Sequence, residues 1–378
     1  TLSSLRLRIL SSSVHGLLRK KLMMNRLACN EYVADLDAVC NLALPWNDLR
    51  GRTIVVSGAT GMIGAFFIDV LMRKNDTTEL GCNIVALGRS AEKARLRLPY
   101  FESRYFSFEE TSIASAGYRP TCPADFVLHL ASSTHPRQYS SDPIGTIRAN
   151  VDGLQNLLEF SADSGARLLF ASSVEIYGQN RGDVERFDEG YCGNIDCNTL
   201  RACYNESKRL GEAMCQAYRS QRGVEAVIAR IARVYGPTLL NEDSKALSQF
   251  IRQSLAGEDV VLKSEGTQRF SYLHVADAVS GLLHVMLLAI DGEAYNLADK
   301  GSDIALRDLA RLVAGVGGVD VVFDLPDAQE AAGYSVATLA LMNGSKAQGL
   351  GWKARYTIED GLRSTVEQMR KMGWVTSS

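Results

Sequence analysis

The chain has 378 residues, 46% of them hydrophobic, which is enough for one large α/β domain with an appended lobe or for two domains, and excludes a disordered or fibrous protein. Its 41 basic and 43 acidic residues leave a net charge of −2, so no global field draws it to nucleic acid or to an anionic membrane, and an anionic ligand has to be held locally. The eight cysteines are scattered, with neither a CxxC pair nor a Cys/His cluster at zinc-ligand spacing, which predicts reduced thiols in the cytoplasm and no metal site, and no run of about 18 apolar residues is present to span a bilayer.

Residues 1–50 read as a partly helical N-terminal extension. Up to Glu31 it carries Arg6, Arg8, Arg19, Lys20, Lys21 and Arg26 with no acid, but it lacks the apolar stretch and small-residue cleavage site of a signal peptide, and Met23 or Met24 is the expected natural start. From residue 51 short β-branched runs alternate with amphipathic stretches of helical length, the pattern of a parallel sheet wrapped by helices. Strands are predicted at 53–57, 83–88, 125–131, 167–173 and 224–231, each a nearly continuous apolar run, with a weakly marked third strand within 98–108. Helices are predicted over 62–73, 144–160 and 202–222. After Gly236-Pro237 the pattern loosens into shorter elements, so a second lobe is expected from 237 onward.

Directly after the first strand, SGATGMIG places Gly58, Gly61 and Gly64 in a GxxGxxG spacing that opens the first helix through Met62 and Ile63. Glycines serve there for a tight turn, for backbone approach to a pyrophosphate and for helix packing, and the helix N-terminus offers N–H groups to the anion. At the end of the second strand, an acid takes the ribose 2′-hydroxyl of NAD and an arginine accommodates the 2′-phosphate of NADP. Here the strand ends Leu87-Gly88-Arg89-Ser90, so Arg89 either pairs with a 2′-phosphate, stacks on adenine or sits in solvent; this one position favours NADP and leaves the choice open. Tyr204 and Lys208 are four apart on a predicted helix and so share a face, where a lysine cation favours the tyrosinate and makes the phenol a usable base. Ser173 lies at the carboxyl end of a central strand, where open α/β sheets bind ligands. Glu175, two residues on, faces the same way on an extended backbone and is a candidate second base, or else a solvated loop carboxylate.

With these pieces in place the chain resembles the extended short-chain dehydrogenase/reductase family of nucleotide-sugar epimerases, dehydratases and decarboxylases, most closely in pattern the UDP-glucuronate decarboxylases, over roughly residues 51–370. The resemblance rests on DFVLHLAS, DPIGTIRANVDGLQNLLE, FASSVEIYG, RACYNESKRLGEAMCQAYRSQRGVEAVIARIARVYGP, FSYLHVADAV and SKAQGLGWKARYTIEDGL. It implies a Rossmann-type doubly wound parallel sheet over 51–236, and a smaller substrate-binding lobe over 237–378 from which about 268–290 returns to the dinucleotide domain. It further implies a dinucleotide held by Gly58, Gly61, Gly64, Leu130, Ala131 and Asn150, with Ser173 and Tyr204 at the reacting hydroxyl, Lys208 at the nicotinamide ribose and Ser132 on the substrate side, and it pulls toward NAD where Arg89 pulls toward NADP, so the cofactor is NAD or NADP. A homodimer is implied through the helices 144–160 and 202–222, whose apolar residues, among them Leu154, Leu157 and Leu158, and Leu210, Met214 and Ala217, either face the partner or are buried within one chain.

Three departures limit the transfer. The related dehydratases have Thr-Asp-Glu and the decarboxylases Thr-Ser-Glu where this chain has Ser173-Val174-Glu175, and Val174 cannot protonate a leaving hydroxyl. Relatives have Asn where this chain has Arg233, and the arginine they place at the substrate diphosphate is Phe270 here, with Arg269 one position early and on the opposite strand face. Arg233 and Arg269 are therefore both candidates for the diphosphate. The expected chemistry is removal of the C4 hydroxyl proton by Tyr204 as hydride leaves C4, then loss of CO₂ or epimerisation of the 4-keto sugar and return of hydride, so that the cofactor is regenerated. A reductase of a small carbonyl would use the same trio but consume free NADPH, and a non-catalytic dinucleotide sensor would have little need of it.

Overall fold

The computed structural model describes residues 26–134, 141–324 and 338–374. A short 3₁₀ turn, Arg26–Ala28, leads into helix α1 (Asn30–Cys40) and a second 3₁₀ turn, Trp46–Leu49. The first half then alternates β1 (Thr53–Ser57), α2 (Met62–Thr77), β2 (Asn83–Gly88), α3 (Ala91–Arg97), β3 (Phe106–Glu110), β4 (Phe126–His129), α4 (Pro143–Asn150), α5 (Asp152–Ser164), β5 (Arg167–Ser173), α6 (Ala202–Arg222) and β6 (Ala226–Ile231). There follow β7 (Arg233–Tyr235), α7 (Ala246–Ala256), β8 (Val260–Leu262), β9 (Arg269–His274), α8 (Val275–Leu288), β10 (Ala294–Leu297), β11 (Asp303–Ala305), α9 (Leu306–Gly317), β12 (Val321–Phe323), β13 (Leu339–Ala340), α10 (Ser345–Gln348) and α11 (Ile358–Lys371).

Seven strands form one parallel sheet in the order β10-β6-β5-β4-β1-β2-β3, with Ile54 paired to Ile84 on one side and to Phe126 on the other. Side chains alternate across it. Ile54, Val56, Leu128 and Leu169 face α2 and α8, while Val55, Val127, Leu168 and Phe170 face Leu154, Leu157 and Leu158 of α5 and Cys215 of α6. Helices on both faces leave no polar side for the sheet, which is why its strands read as unbroken apolar runs. A second sheet gathers β7, β11 and β13 around β9, and β8 pairs with β12. No helix among the described residues is long and apolar enough to cross a membrane.

Three sequence expectations are corrected. The stretch 144–160 is two helices meeting at Val151, beside Gly153, where a Cβ would come within 2.7 Å of Ile113; a helical glycine at a close contact is a usual place for a bend. β4 stops at His129, two residues short of its predicted end, because Leu130 and Ala131 turn to meet the β1 turn, while the third strand, Phe106–Glu110, begins inside its predicted window and runs two residues past it. Leu154, Leu157 and Leu158, candidates for an intermolecular face, fill the chain's own core, each burial contributing about 1.5 to 3 kcal/mol. Residues 1–25, which hold Met23 and Met24, lie outside the described residues.

Candidate active site

The order of the sheet reverses between β1 and β4, and the carboxyl ends of these two strands and of β5 form one crevice. At the end of β1, Gly58 has φ +71°, and a Cβ there would lie 2.7 Å from Ala131 N and 2.8 Å from the Leu130 carbonyl carbon, so only glycine fits. Gly61 caps α2, and a Cβ at Gly64 would strike Gly58 O at 2.4 Å. Met62 and Ile63, half-buried, open the helix with N–H groups that have no acceptor within it. Leu130 N donates to Ser57 O at 3.2 Å and Ala131 N to Ser57 Oγ at 3.3 Å, which carries the chain along the turn to Ser132. Beneath, His129 Nδ1 meets Ser57 Oγ at 2.7 Å, and burial, followed by the Lys208 charge, pushes the imidazole down to about 3. Arg97 bolts the turn from behind, donating to Thr60 O at 3.2 Å and Thr238 O at 2.7 Å. Arg89 follows β2 directly and is exposed.

Across the crevice Ser173 ends β5, its hydroxyl accepting from Glu175 N at 3.2 Å. Tyr204 and Lys208 are buried one turn apart on α6. Burial lifts the phenol to about 12, the Ser173 hydrogen bond pulling it down and the Glu175 charge pushing it up. Burial lowers the Lys208 ammonium to about 7 against the pull of Glu212. Lys208 Nζ donates to Ala171 O at 2.7 Å and lies 4.7 Å from the Phe170 ring centre and 5.9 Å from that of Tyr204. Asn150 Nδ2 donates to Ser207 Oγ at 2.9 Å, which in turn donates to Tyr204 O, while Asn150 Oδ1 is buried without a partner.

Glu175 is not a solvated loop carboxylate. Arg201 Nη2 and Arg233 Nη2 each lie 3.3 Å from one of its oxygens. Burial raises its carboxyl, but Arg233 and Arg201, with a hydrogen bond from Asn205, outweigh that and hold it below the usual carboxylate range. Arg233, on β7, stacks 3.8 Å over the ring of Phe270 on β9. Position 270, a phenylalanine here, thus carries the Arg233 guanidinium on its ring face. Arg269 is exposed at the start of β9, where its charge acts on Asp303, and it has no hydrogen bond or ion pair with Ser173, Glu175 or Tyr204.

The structure therefore brings together Ser173, Glu175, Tyr204, Lys208, Asn150 and Arg233, and sets Gly58, Gly61, Gly64, Leu130 and Ala131 along the neighbouring strand ends. Sequence reasoning passed over Arg201 and Glu212, although both lie on the stripe of Tyr204 and Lys208 at helical spacing. It had no signal for Arg97, whose partners are distant in the chain.

The sequence profile of the NAD-dependent epimerase/dehydratase family matches residues 54–298. UDP-glucuronic acid decarboxylase 6 of Arabidopsis thaliana is 31% identical over 324 residues, covering 84% of this chain and 88% of the relative. UDP-glucuronic acid decarboxylase 1 of Xenopus tropicalis is 29% identical over 323 residues, 85% of this chain and 72% of the relative. Among solved structures, a UDP-glucose 4-epimerase of Thermotoga maritima with UDP-glucose superposes with TM-score 0.71 at 25% identity, over 84% of this chain and 99% of that one. A dTDP-glucose 4,6-dehydratase of Streptomyces venezuelae with NAD bound shares the fold, with TM-score 0.73 at 23% identity over 85% and 98% of the two chains. With a glycine turn at the switch point of a seven-stranded parallel sheet and a Ser, Tyr, Lys set facing it, the chain belongs to the NAD-dependent epimerase/dehydratase family.

Proposed function

We propose that this enzyme binds NAD along the β1/β4 crevice and converts a nucleotide sugar, a UDP-uronate in the first instance, by oxidation at C4, loss of the C5 carboxylate as CO₂ and reduction of the ketone. The observation that carries the reading is the meeting of Ser173, at the end of β5, with the buried Tyr204, on whose phenol the Ser173 hydroxyl acts, and with Lys208 one turn behind. The Gly58 turn, whose space a single Cβ would fill, and the unpartnered Oδ1 of Asn150 fit a dinucleotide. Bound NAD supplies a hydride acceptor and returns the hydride at the end. Tyr204 takes the C4 hydroxyl proton while Ser173 orients that oxygen, and the Lys208 cation favours the tyrosinate. Val174 is buried and apolar and Glu175 is held ionised, so the pair offers no acid for a leaving hydroxyl, which argues against dehydration. Glu175, occupied by two arginines, is also a poor base. Loss of CO₂ needs neither, because the electron pair of the C5–C6 bond passes into the adjacent ketone, and the resulting enolate takes a proton at C5 from water before hydride returns to C4. Arg233 and Arg201 supply the positive charge for the substrate's anionic groups.

The resemblance to the UDP-glucose 4-epimerase favours one other product, the C4 epimer, reached through the same first and last steps. Incubation with UDP-glucuronate and UDP-glucose, with mass spectrometry of the sugar nucleotides, is the test. We expect a UDP-pentose, without net consumption of NAD. A same-mass epimer replaces decarboxylase by epimerase; steady oxidation of NADPH with a small ketone and no sugar-nucleotide turnover replaces both by a reductase. The same reading places the protein in the cytoplasm, supported by eight free thiols. It makes the protein a homodimer, supported by the exposed Ile144, Ile147 and Leu210 on α4 and α6.

A further inference from the structure

Tyr204, Lys208 and Glu212 recur every fourth residue of α6 and so form one stripe, with a step of about 6 Å along the axis. The proposed chemistry uses the first two and leaves the third without a task. Glu212 is nevertheless fully engaged. Its Oε1 accepts from the Ser172 hydroxyl at 2.5 Å and from Arg230 Nε at 3.0 Å, and its Oε2 from Arg230 Nη2 at 2.7 Å. Arg230 then donates from Nη1 to the Tyr177 hydroxyl at 3.0 Å and to Glu189 O at 2.7 Å. Tyr177 donates to Asn296 Oδ1 at 2.6 Å, and Asn296 Nδ2 donates to Phe187 O and Asn343 O. A buried Arg–Glu pair is weak as a source of stability, since apolar side chains of similar volume often do as well. Its position is the informative part: it starts at the residue before Ser173 and one turn behind Lys208.

The groups around Lys208 sharpen this. On its own helix stand Tyr204, Glu212 and Cys215; on β4 stands His129, and on β6, behind Glu212, Arg230. Burial keeps the tyrosine and the cysteine protonated and the histidine uncharged. Among these groups Glu212 is the one anion. We propose that Glu212 is a positioning residue for the Ser173, Tyr204, Lys208 set, its carboxylate tying down the end of β5 through Ser172 and standing as the counter-charge of Lys208.

The assignment rests on the trio named under the proposed function, but its first test needs no substrate. In full-length protein labelled at lysine ¹³Cε, the resonance that Lys208→Met removes identifies Lys208, and its titration is followed in Glu212→Gln. Because that change strands Arg230, the same titration is run in the double variant Glu212→Gln/Arg230→Gln, which leaves no unpaired charge. We expect the Lys208 midpoint to fall by about half a pH unit or more. The rising limb of kcat against pH should move to higher pH, with the rate at neutrality down about tenfold. Ser172→Ala, which cuts the tie to β5 but keeps the carboxylate, should lower kcat and leave the midpoint in place. An unmoved Lys208 midpoint in a folded double variant overturns the assignment, because a purely structural role would cost stability and rate without shifting a titration. A moved midpoint in a protein that turns over no nucleotide sugar supports the assignment and removes the proposed substrate.

Discussion

Tyr204 rests with its proton on, lifted to about 12 by burial against the pull of Ser173, so in the proposed mechanism turnover depends on one oxygen whose charge must be stabilised as the substrate arrives. Tyr204→Phe removes that oxygen and keeps the ring. We expect a loss of more than about 10²-fold in product formation with NAD affinity nearly unchanged, and near-wild-type activity would remove Tyr204 from the chemistry. Lys208 makes a thermodynamic prediction. Burial lowers it to about 7 from 10.5, so between these values the unfolded chain binds more protons than the folded one, and stability rises with pH across that window. Below about pH 7 both states carry the charge and the full penalty applies. Lys208→Met should therefore raise the urea midpoint near neutrality, with the gain fading towards pH 10.5, while turnover is lost. Arg89, exposed at the end of β2, separates the cofactors. If its guanidinium takes a 2′-phosphate, Arg89→Ala weakens NADP about tenfold or more and hardly touches NAD. Equal weakening of both in a titration, or of neither, rules that role out.

Helix α1 is fastened to α2 by one buried carboxylate. Asp69 accepts from Arg26 Nε at 2.7 Å and Nη2 at 2.9 Å, from Tyr32 at 2.5 Å and from Tyr100 at 2.9 Å, with Arg26 and Asp69 both buried. Asp69→Ala removes the acceptor of two guanidinium N–H groups and of two phenols. We expect a loss of roughly 3 to 5 kcal/mol in urea unfolding, and a loss below about 1 kcal/mol would mean that the cluster does not hold the helix. None of this was legible beforehand, because Arg26 and Asp69 are neighbours only in space. What could be read was what burial imposes on composition. β1, β2 and β5 lie within the sheet and are apolar on both faces, and their predicted limits coincide with the observed ones. β3 is an edge strand in which Phe106 alone is buried, so its apolar signal is diluted and only a broad window, 98–108, could be drawn around its start. The predicted limits of α6, 202–222, coincide with the observed ones, and Gly223 closes it in the left-handed conformation. At the site the glycines, Ser173, Tyr204 and Lys208 stood out through spacing, whereas the pairing of Glu175 with Arg201 and Arg233 joins three separate segments and needed the fold.

At the scale of the molecule the question is what covers α4 and α6. Ile144 is 71% exposed and Leu210 48%, an unusual pair for a solvated surface. Sedimentation should show a dimer at micromolar concentration, and Ile144→Asp with Leu210→Asp should yield a folded monomer; a wild-type monomer would count against pairing. The two ends of the described chain also meet. Asp35 on α1 is buried and accepts from the Tyr356 hydroxyl at 2.5 Å, from Gln368 Nε2 at 2.8 Å and from Arg355 Nη1 at 3.3 Å, while Glu31 pairs with Lys371. These contacts span 320 to 340 residues of sequence. During synthesis α1 therefore emerges first and its carboxylate waits, still hydrated, until α11 has left the ribosome. The sheet can assemble in the meantime, but the burial of Asp35 belongs to the last act of folding, and a ribosome-bound chain stopped before residue 355 should leave α1 open to protease while the β1 to β6 region resists it.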